Sequence, residues 1–231
     1  MIVPRLTSKI NDTNEDIKNA AINSLSLILS TIKNPEISQI RDIIIKSLSD
    51  PFNQNKRSLE AILNIKFNHF IDGPSLSLIM PIIVYGLKYS QNAEPKENAA
   101  KIVANIVNLI QEEQDLYPHI ETLIEALQSA LKDISPEVRS LTSKALKSLT
   151  LKYPKLANFV LNKLKKTLME PTTISIEKAG NSQAFAEILG ILDIQILDNI
   201  FNDMLNLTMD NRVHVRESFL SVFVYLPIVF D

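Results

Sequence analysis

The sequence has no cysteine and no tryptophan, and it contains only four glycines among 231 residues. Without cysteine the chain can form no disulfide, thiolate metal site or cysteine nucleophile. Four glycines leave little material for a phosphate-binding loop, and no GxxxxGK[ST], GxGxxG, GxSxG or HExxH motif occurs. The sequence therefore lacks the usual signals of nucleotide-binding, hydrolytic and zinc-dependent enzymes, and we expect a protein that is not an enzyme and has no cofactor.

An excess of charge of one sign and a long apolar run are missing as well. The 24 basic and 26 acidic residues give a formal net charge of −2, so a globally basic nucleic-acid binder is not indicated. No apolar run reaches the roughly 18 to 20 residues of a membrane span, and Pro227 interrupts the longest one, residues 218–230. We expect a cytoplasmic protein with no membrane contact.

The sequence does contain a repeat of about 40 residues. Basic residues recur at spacings of 39, 39, 43, 39 and 38, and these anchors are Lys18, Arg57, Lys96, Arg139, Lys178 and Arg216. Ten positions after every anchor stands an apolar residue, and seven positions after it stands another in every case except Asn64. Because these offsets fall on one face of a helix with 3.6 residues per turn, each anchor predicts an amphipathic helix.

A second helical pattern precedes the anchors, as in Ile79, Ile83 and Leu87. Repeated helix pairs of this length are typical of HEAT repeats, whose pairs bury their apolar faces against their neighbours. The prediction is an all-α, HEAT-repeat α-solenoid, a right-handed superhelix of about six helix pairs that forms a single array over residues 1–231. Because the last segment, VYLPIVFD, is mostly apolar and does not form a polar cap, we expect an open-ended fragment of a longer array.

Acidic residues stand six positions before three of the anchors, in turns where an Asx side chain can cap the following helix. We expect these acidic residues and the anchors to meet those of adjacent repeats and so form a ladder. The predicted ladder consists of Asp12, Lys18, Arg57, Lys96, Asp133, Arg139, Lys178, Asp210 and Arg216.

Residues 139–169, here called the basic segment, hold eight basic residues and no acidic one, whereas the flanking repeats are acidic. On a predicted helix over 154–169, Lys155 and Lys166 are eleven residues apart and share one face. Two interpretations remain open, a solvated face and a contact with the phosphates of RNA. The candidate ribosome or RNA contacts are Lys147, Lys152, Lys155, Lys163, Lys165 and Lys166.

Two further features carry weaker signals. His69, His119 and His214 are at least 50 residues apart, so no pair has metal-ligand spacing and we expect no metal site. Residues 67–81, FNHFIDGPSLSLIMP, fit the repeat least well. They predict either a connection that changes the direction of the superhelix or a binding loop.

The segments IVPRLTSKIND, NPEISQI, FNHFIDGPSLSLIMPII, SPEVRSLTSKAL and VFVYLPIVF, in this order, resemble the giant HEAT-repeat scaffolds of general amino-acid control. The resemblance lies where that family is similar to the HEAT domain of fungal elongation factor three. It implies a non-catalytic, ribosome-associated segment that contacts rRNA and ribosomal proteins and an ATP-binding-cassette partner protein. It also implies support for the kinase of initiation factor two α, through regions outside this chain, in amino-acid starvation or stalled translation.

The resemblance carries over no individual site residue, and two other functions remain open. One is the HEAT domain of an ATPase similar to elongation factor three. The other is a transport or assembly HEAT scaffold of the importin or phosphatase-subunit type.

Overall fold

The computed structural model describes residues 3–10, 12–30 and 32–230. These residues form thirteen α-helices and two short 3₁₀ turns, and no strand occurs among them. The helices are α1 Val3–Lys9, α2 Glu15–Ser30, α3 Pro35–Gln39, α4 Arg41–Ser49, α5 Pro51–Leu63, α6 Gly73–Tyr89, α7 Ala93–Ile106, α8 Glu113–Ala130, α9 Pro136–Lys152, α10 Ala157–Met169, α11 Ser175–Leu189, α12 Ile194–Leu207 and α13 Val213–Phe230. The predicted all-α fold is confirmed.

The order of the helices reproduces the predicted pairs. The pairs are α1 with α2, α3 and α4 with α5, α6 with α7, α8 with α9, α10 with α11, and α12 with α13. Each anchor lies in the second helix of its pair, from Lys18 in α2 to Arg216 in α13. The first helix of the second pair is divided at Ile40, whose φ of −104° and ψ of 16° depart from helical values.

Three helices begin with a capping side chain followed by proline. The side chains of Asn34, Asp50 and Ser135 accept hydrogen bonds from backbone N–H groups three residues further on, and proline is the next residue in each case. Proline suits this position because its missing N–H would have no partner there. Pro118, in contrast, lies inside α8, which begins at Glu113. Pro154 begins a 3₁₀ turn rather than α10.

Contacts divide the chain into two compact units, Met1–Ala126 and Leu127–Asp231. In the first unit α6 packs against α1, α4, α5 and α7. Its side chains are therefore buried on several faces, including Leu76, Ile79, Ile83 and Leu87. Burial of each of these side chains contributes about 1.5–3 kcal/mol. The helix α6 is thus the core element of this unit and a rigid base for the side chains on its outer surface.

In the second unit α11 packs against α9, α10 and α13. The close approach of α11 to the turn after α8 depends on Gly180, since a Cβ atom built there would overlap the carbonyl oxygen of Leu131. Phe185 of α11 and Phe219 of α13 make an edge-to-face contact with their ring centroids 6.3 Å apart. The helix α11 is the core of this unit.

The helix α12 is an exception to the predicted packing. The apolar pattern predicts Leu197, Phe201 and Leu205 on its buried face, but Phe201 is 36% and Leu205 44% exposed. Met204 is the buried residue of this helix instead, at 1% exposure. This part of the prediction is wrong because α12 packs chiefly against α13, with Phe201 on the edge of the Phe223 ring.

Candidate functional site

The basic segment is held in place by the apolar side chains of α9 and α10. Leu146 and Leu149 of α9 and Val160, Leu164 and Leu168 of α10 are all fully buried. Because these side chains occupy the inner faces, the lysines between them lie on outer or lateral faces. Helical spacing predicts an inward face of Leu156, Val160, Leu164 and Leu168, and this is confirmed for all but Leu156, which lies in the 3₁₀ turn before α10 and is half-buried.

Three of the six candidate lysines already have partners within the chain. Lys147 forms an ion pair of 2.8 Å with Glu187, whose side chain is only 11% exposed. Lys165 pairs with Asp203 of α12. The ammonium of Lys163 lies 4.8 Å from the centre of the Phe159 ring, in reach of a cation–π contact. The charge of Lys147 is therefore balanced within the chain and not free in solvent.

The remaining candidates, Lys152, Lys155 and Lys166, are exposed. Within the part of the chain that the structure describes, none of them forms an ion pair. Lys152 ends α9 and Lys155 lies in the 3₁₀ turn, so Lys155 and Lys166 do not share one helix as predicted. Lys166 stands nine residues, or about 14 Å, from the start of α10. These three lysines place positive charge at two points, just before α10 and nine residues into it.

A shallow depression near Lys166 carries less positive charge than its residues suggest. Arg212 lines it together with Lys165 and Lys166, but Arg212 donates two hydrogen bonds of 2.9 Å to the carboxylate of Asp210. The Arg212 side chain, and next its backbone N–H, hold the pKa of Asp210 well below its usual range. Since Lys165 is also paired, Lys166 is the cation of this depression that has no ion pair among the described residues.

The two arginine anchors of the second unit bind their own turns. The guanidinium of Arg139 donates to the carbonyl oxygens of Asp133 at 2.8 Å and Ile134 at 2.9 Å. Arg216 repeats this geometry, because its guanidinium donates to the carbonyl oxygens of Asp210 at 2.7 Å and Asn211 at 3.0 Å. These bonds stay within the turn because a spacing of six residues lets the side chain reach back over the helix start, and the predicted contact of these arginines with an adjacent repeat stays a prediction.

The aspartates of these turns act locally as well. Oδ1 of Asp133 and of Asp210 each accepts the backbone N–H two residues further on, at 2.8 Å, and Asp12 does the same at 3.1 Å. These are Asx turns rather than helix caps, whereas Asp50 caps α5 directly. The aspartates therefore shape the turn that each following helix leaves.

Ion pairs between lysines and carboxylates join neighbouring repeats. Among the described residues, five ion pairs join a lysine to a carboxylate 38 to 45 positions later: Lys56–Glu94, Lys132–Glu177, Lys147–Glu187, Lys165–Asp203 and Lys178–Glu217. The lysine comes first in each pair, so all five run in one direction along the chain. Of the predicted ladder residues, Lys178 takes part in these pairs.

Two of the other predicted ladder residues have partners in their own turn. Lys18 pairs with Glu15 in the same turn of α2, at 3.2 Å, and Asp12 accepts a hydrogen bond from Lys9 at 3.0 Å. Arg57 is exposed on α5, and Lys96 is half-buried on α7.

The segment 67–72 runs between α5 and α6 and is held by hydrogen bonds. Glu36 accepts the backbone N–H of Asn68 at 3.0 Å and lies 2.8 Å from Nδ1 of His69. Burial acts to raise the pKa of Glu36, but the hydrogen bonds from His69 and Asn68 outweigh it and leave the pKa below its usual value. Ile71 donates to the carbonyl of Leu109 at 2.9 Å. The segment is therefore an ordered connection, and a binding role for it remains a prediction.

The other two histidines also have identified neighbours. Nε2 of His119 lies 3.1 Å from the hydroxyl of Ser77, and burial lowers the pKa of His119. Nε2 of His214 lies 3.2 Å from the carbonyl of Met169. In the described ranges no three His, Asp or Glu residues are grouped so that they could hold a metal ion. None of the helices described is both long and apolar enough to span a membrane.

Comparison with known proteins gives a family match in the middle of the chain. Residues 54–158 match the model of the elongation factor 3/GNC1 HEAT repeat. The eIF-2-alpha kinase activator GCN1 of Dictyostelium discoideum is 36% identical over 98% of this chain, and the stalled ribosome sensor GCN1 of Homo sapiens is 32% identical over 99%. The elongation factor 3 of Mycosarcoma maydis is 28% identical over 64% of the chain and 14% of its own length.

The chain spans less than a tenth of the length of these GCN1 relatives, 8% and 9%. The resemblance predicted from the sequence is confirmed. Residues 54–158 match the elongation factor 3/GNC1 HEAT-repeat family, within a chain that is similar over nearly its whole length to one segment of the GCN1 proteins.

Proposed function

We propose that this chain is a non-catalytic, ribosome-associated scaffold segment that supports activation of the kinase of initiation factor two α. The observation that carries the proposal is the similarity of nearly the whole chain to proteins named eIF-2-alpha kinase activator and stalled ribosome sensor. A repeat of helix pairs suits such a role, because it provides extended surfaces for docking without an enclosed reaction site. The kinase itself would be reached through regions outside this chain, in amino-acid starvation or stalled translation.

The proposed partners are the ribosome, through rRNA and ribosomal proteins, and an ATP-binding-cassette protein. The corresponding location is the cytoplasm, on ribosomes. Lys152, Lys155 and Lys166 are the proposed contacts with rRNA phosphates, because they are exposed and no ion pair within the described ranges neutralises them. Lys147 and Lys165 contribute less, since their charges are already balanced by Glu187 and Asp203.

Co-sedimentation of the chain with ribosomes over a series of salt concentrations tests the proposal. If three phosphates are neutralised, the log-log slope of affinity against salt is about −2 to −3, from roughly −0.7 to −0.9 per phosphate. The triple variant Lys152→Glu, Lys155→Glu, Lys166→Glu is expected to bind more weakly and with a flatter slope. Helicity should not change, because the buried faces of α9 and α10 remain intact.

A matched control reverses three exposed lysines of the first unit, Lys33, Lys46 and Lys66, and changes the net charge by the same amount. This control is expected to sediment with ribosomes as the wild type does. Equal losses in both triple variants would show that net charge, not the basic segment, governs binding. If the basic-segment variant bound as well as the wild type at every salt concentration, these lysines would be a solvated face.

A second candidate is the HEAT domain of an ATPase similar to elongation factor three, because such factors match part of the chain. The lower identity and shorter match favour the first proposal. The two are distinguished by the complete gene. An open reading frame that continues from these repeats into ATP-binding cassettes would establish the second candidate and overturn the first.

A further inference from the structure

The first unit has an aromatic groove between α6 and α8, here called the tyrosine groove. Its volume is about 310 Å³, and its walls include Pro81, Tyr85 and Tyr89 from α6 and Pro118 and His119 from α8. This volume is at the lower end of the roughly 300–1,000 Å³ of ligand pockets. It suits a few side chains of a peptide better than a nucleotide or a large cofactor.

Tyr85 and Tyr89 also border a second depression on their other side. Their ring centroids are 5.5 Å apart at an interplanar angle of 43°, and Tyr89 is 56% exposed. The second depression, of about 170 Å³, has Phe52 and Pro95 among its other walls. The two tyrosines thus form a ridge between the tyrosine groove and this second hollow, whose walls also include polar residues such as Asn55 and Gln91.

The polar groups around the tyrosine groove favour a peptide with a positive charge. The exposed carboxylates of Glu121 and Glu125 stand three and seven residues after Pro118, so they continue the α8 edge of the groove. Neither forms an ion pair within the part of the chain that the structure describes. On the α6 edge, the ammonium of Lys88 lies 5.8 Å from the centre of the Tyr89 ring. The edges therefore carry more negative than positive charge.

We propose that the tyrosine groove binds a proline-rich segment of a partner protein in the polyproline II conformation, with an arginine or lysine next to the prolines. A polyproline II helix has three residues per turn and no internal hydrogen bonds, so alternate turns can fill neighbouring hollows while its carbonyls accept bonds from tyrosine hydroxyls. The basic residue pairs with Glu121 or Glu125. This proposal does not depend on ribosome association.

Fluorescence anisotropy with a labelled synthetic peptide tests the proposal. The peptide has prolines three residues apart and an arginine at one end, and both orders of the sequence are assayed because such ligands can bind in either direction. Tyr89→Ala is expected to weaken binding about tenfold, through loss of the ring contacts. The matched control is Tyr117→Ala, since Tyr117 is equally exposed at 55% but does not line the groove, and we expect a change of less than about twofold.

A second comparison tests the charged edge. The double variant Glu121→Lys, Glu125→Lys is expected to bind the arginine peptide about tenfold more weakly and to bind a glutamine version of the peptide unchanged. Glu112→Lys, a reversal of an exposed glutamate just before α8, is expected to leave both affinities unchanged. Circular dichroism spectra of all variants are compared with the wild type to show that the fold is retained.

Several results would overturn the proposal. One is an absence of saturable binding to the folded wild type, and another is equal affinity for a peptide whose prolines are replaced by alanine. A loss in Tyr117→Ala as large as that in Tyr89→Ala would place the peptide elsewhere. If sedimentation analysis showed that the wild type self-associates and that Tyr89→Ala abolishes this, the groove would take a second copy of the chain instead of a proline-rich partner.

Discussion

Gly180→Ala is a stringent test of the packing in the second unit. A Cβ atom at this position would lie 2.0 Å from the carbonyl oxygen of Leu131, 2.9 Å from its carbonyl carbon and 3.0 Å from Cδ of Arg139. Ordinary van der Waals contact requires 3.4–4 Å. Because the nearest atoms belong to the backbone and not to a flexible side chain, α11 or the turn after α8 must move by about 1 Å.

The magnitude follows from two opposing effects. Forcing an extra methyl group into a packed contact costs about 1–3 kcal/mol, and a clash with the backbone belongs to the upper part of that range. Alanine recovers about 1 kcal/mol through its higher helix propensity. The net destabilisation is therefore about 2 kcal/mol, which lowers the melting temperature of a chain of this size by about 4–8 °C.

Thermal unfolding followed by circular dichroism measures this difference. Gly190→Ala is the matched control, since Gly190 caps the same helix with a helical φ of −64° that alanine adopts without strain. The control is expected to melt at or slightly above the wild-type temperature, because alanine has fewer unfolded conformations than glycine. If Gly180→Ala melted as high as the wild type, the close approach of α11 to Leu131 would be incorrect.

Three further substitutions test other parts of the structure. Leu146→Asp is expected to lower the free energy of unfolding by more than about 3 kcal/mol, because it buries a charge. Lys144→Asp, at an exposed position, should change the free energy of unfolding by less than about 0.5 kcal/mol, and denaturant unfolding compares the two variants. Arg216→Ala is expected to cost about 1–2 kcal/mol through two lost hydrogen bonds in the same assay, against less than about 0.5 kcal/mol for the exposed Arg57→Ala. Because the folded state lowers the pKa of Glu36, its ionised form stabilises the protein above the ordinary value of 4.5 and that stability is lost at lower pH. Glu36→Gln should therefore be less stable than the wild type at pH 7. If the wild type and Glu36→Gln had equal melting temperatures at both pH 7 and pH 3.5, this reasoning would be contradicted.

The period and the helix pairs could be predicted from sequence because they depend on local chemistry. Apolar residues at helical spacing after Arg139 mark a face that one neighbouring helix covers, and Leu146 and Leu149 are buried there as predicted. A capping residue followed by proline marks a helix start in the same way, as Ser135 does for α9. Pro118 shows the limit of this signal, because it lies inside α8, and a proline inside a helix and a proline at its start look alike in sequence.

Tertiary contacts were harder to predict, since sequence spacing does not show which way a long side chain bends. Arg139 and Lys178 occupy equivalent positions in their repeats, yet Arg139 bonds the carbonyls of its own turn while Lys178 reaches Glu217 in the next repeat. For a related reason the sequence pattern predicts the wrong buried face for α12, where Met204 is buried instead of Phe201 and Leu205. An amphipathic pattern identifies an apolar face but does not say whether another helix covers it, and Phe201 is exposed.

The ion pairs between repeats also explain why the basic segment is followed by acidic residues about 40 positions later. A block of lysines followed about 40 residues later by carboxylates is the pattern expected if each lysine pairs with the next repeat, and Lys147–Glu187 and Lys165–Asp203 do so. Charge segregation in a repeat protein can therefore arise from internal pairing and need not indicate a charged ligand. The lysines that can report on RNA are those left over, Lys152, Lys155 and Lys166, because substitution of a paired lysine would change stability and binding together.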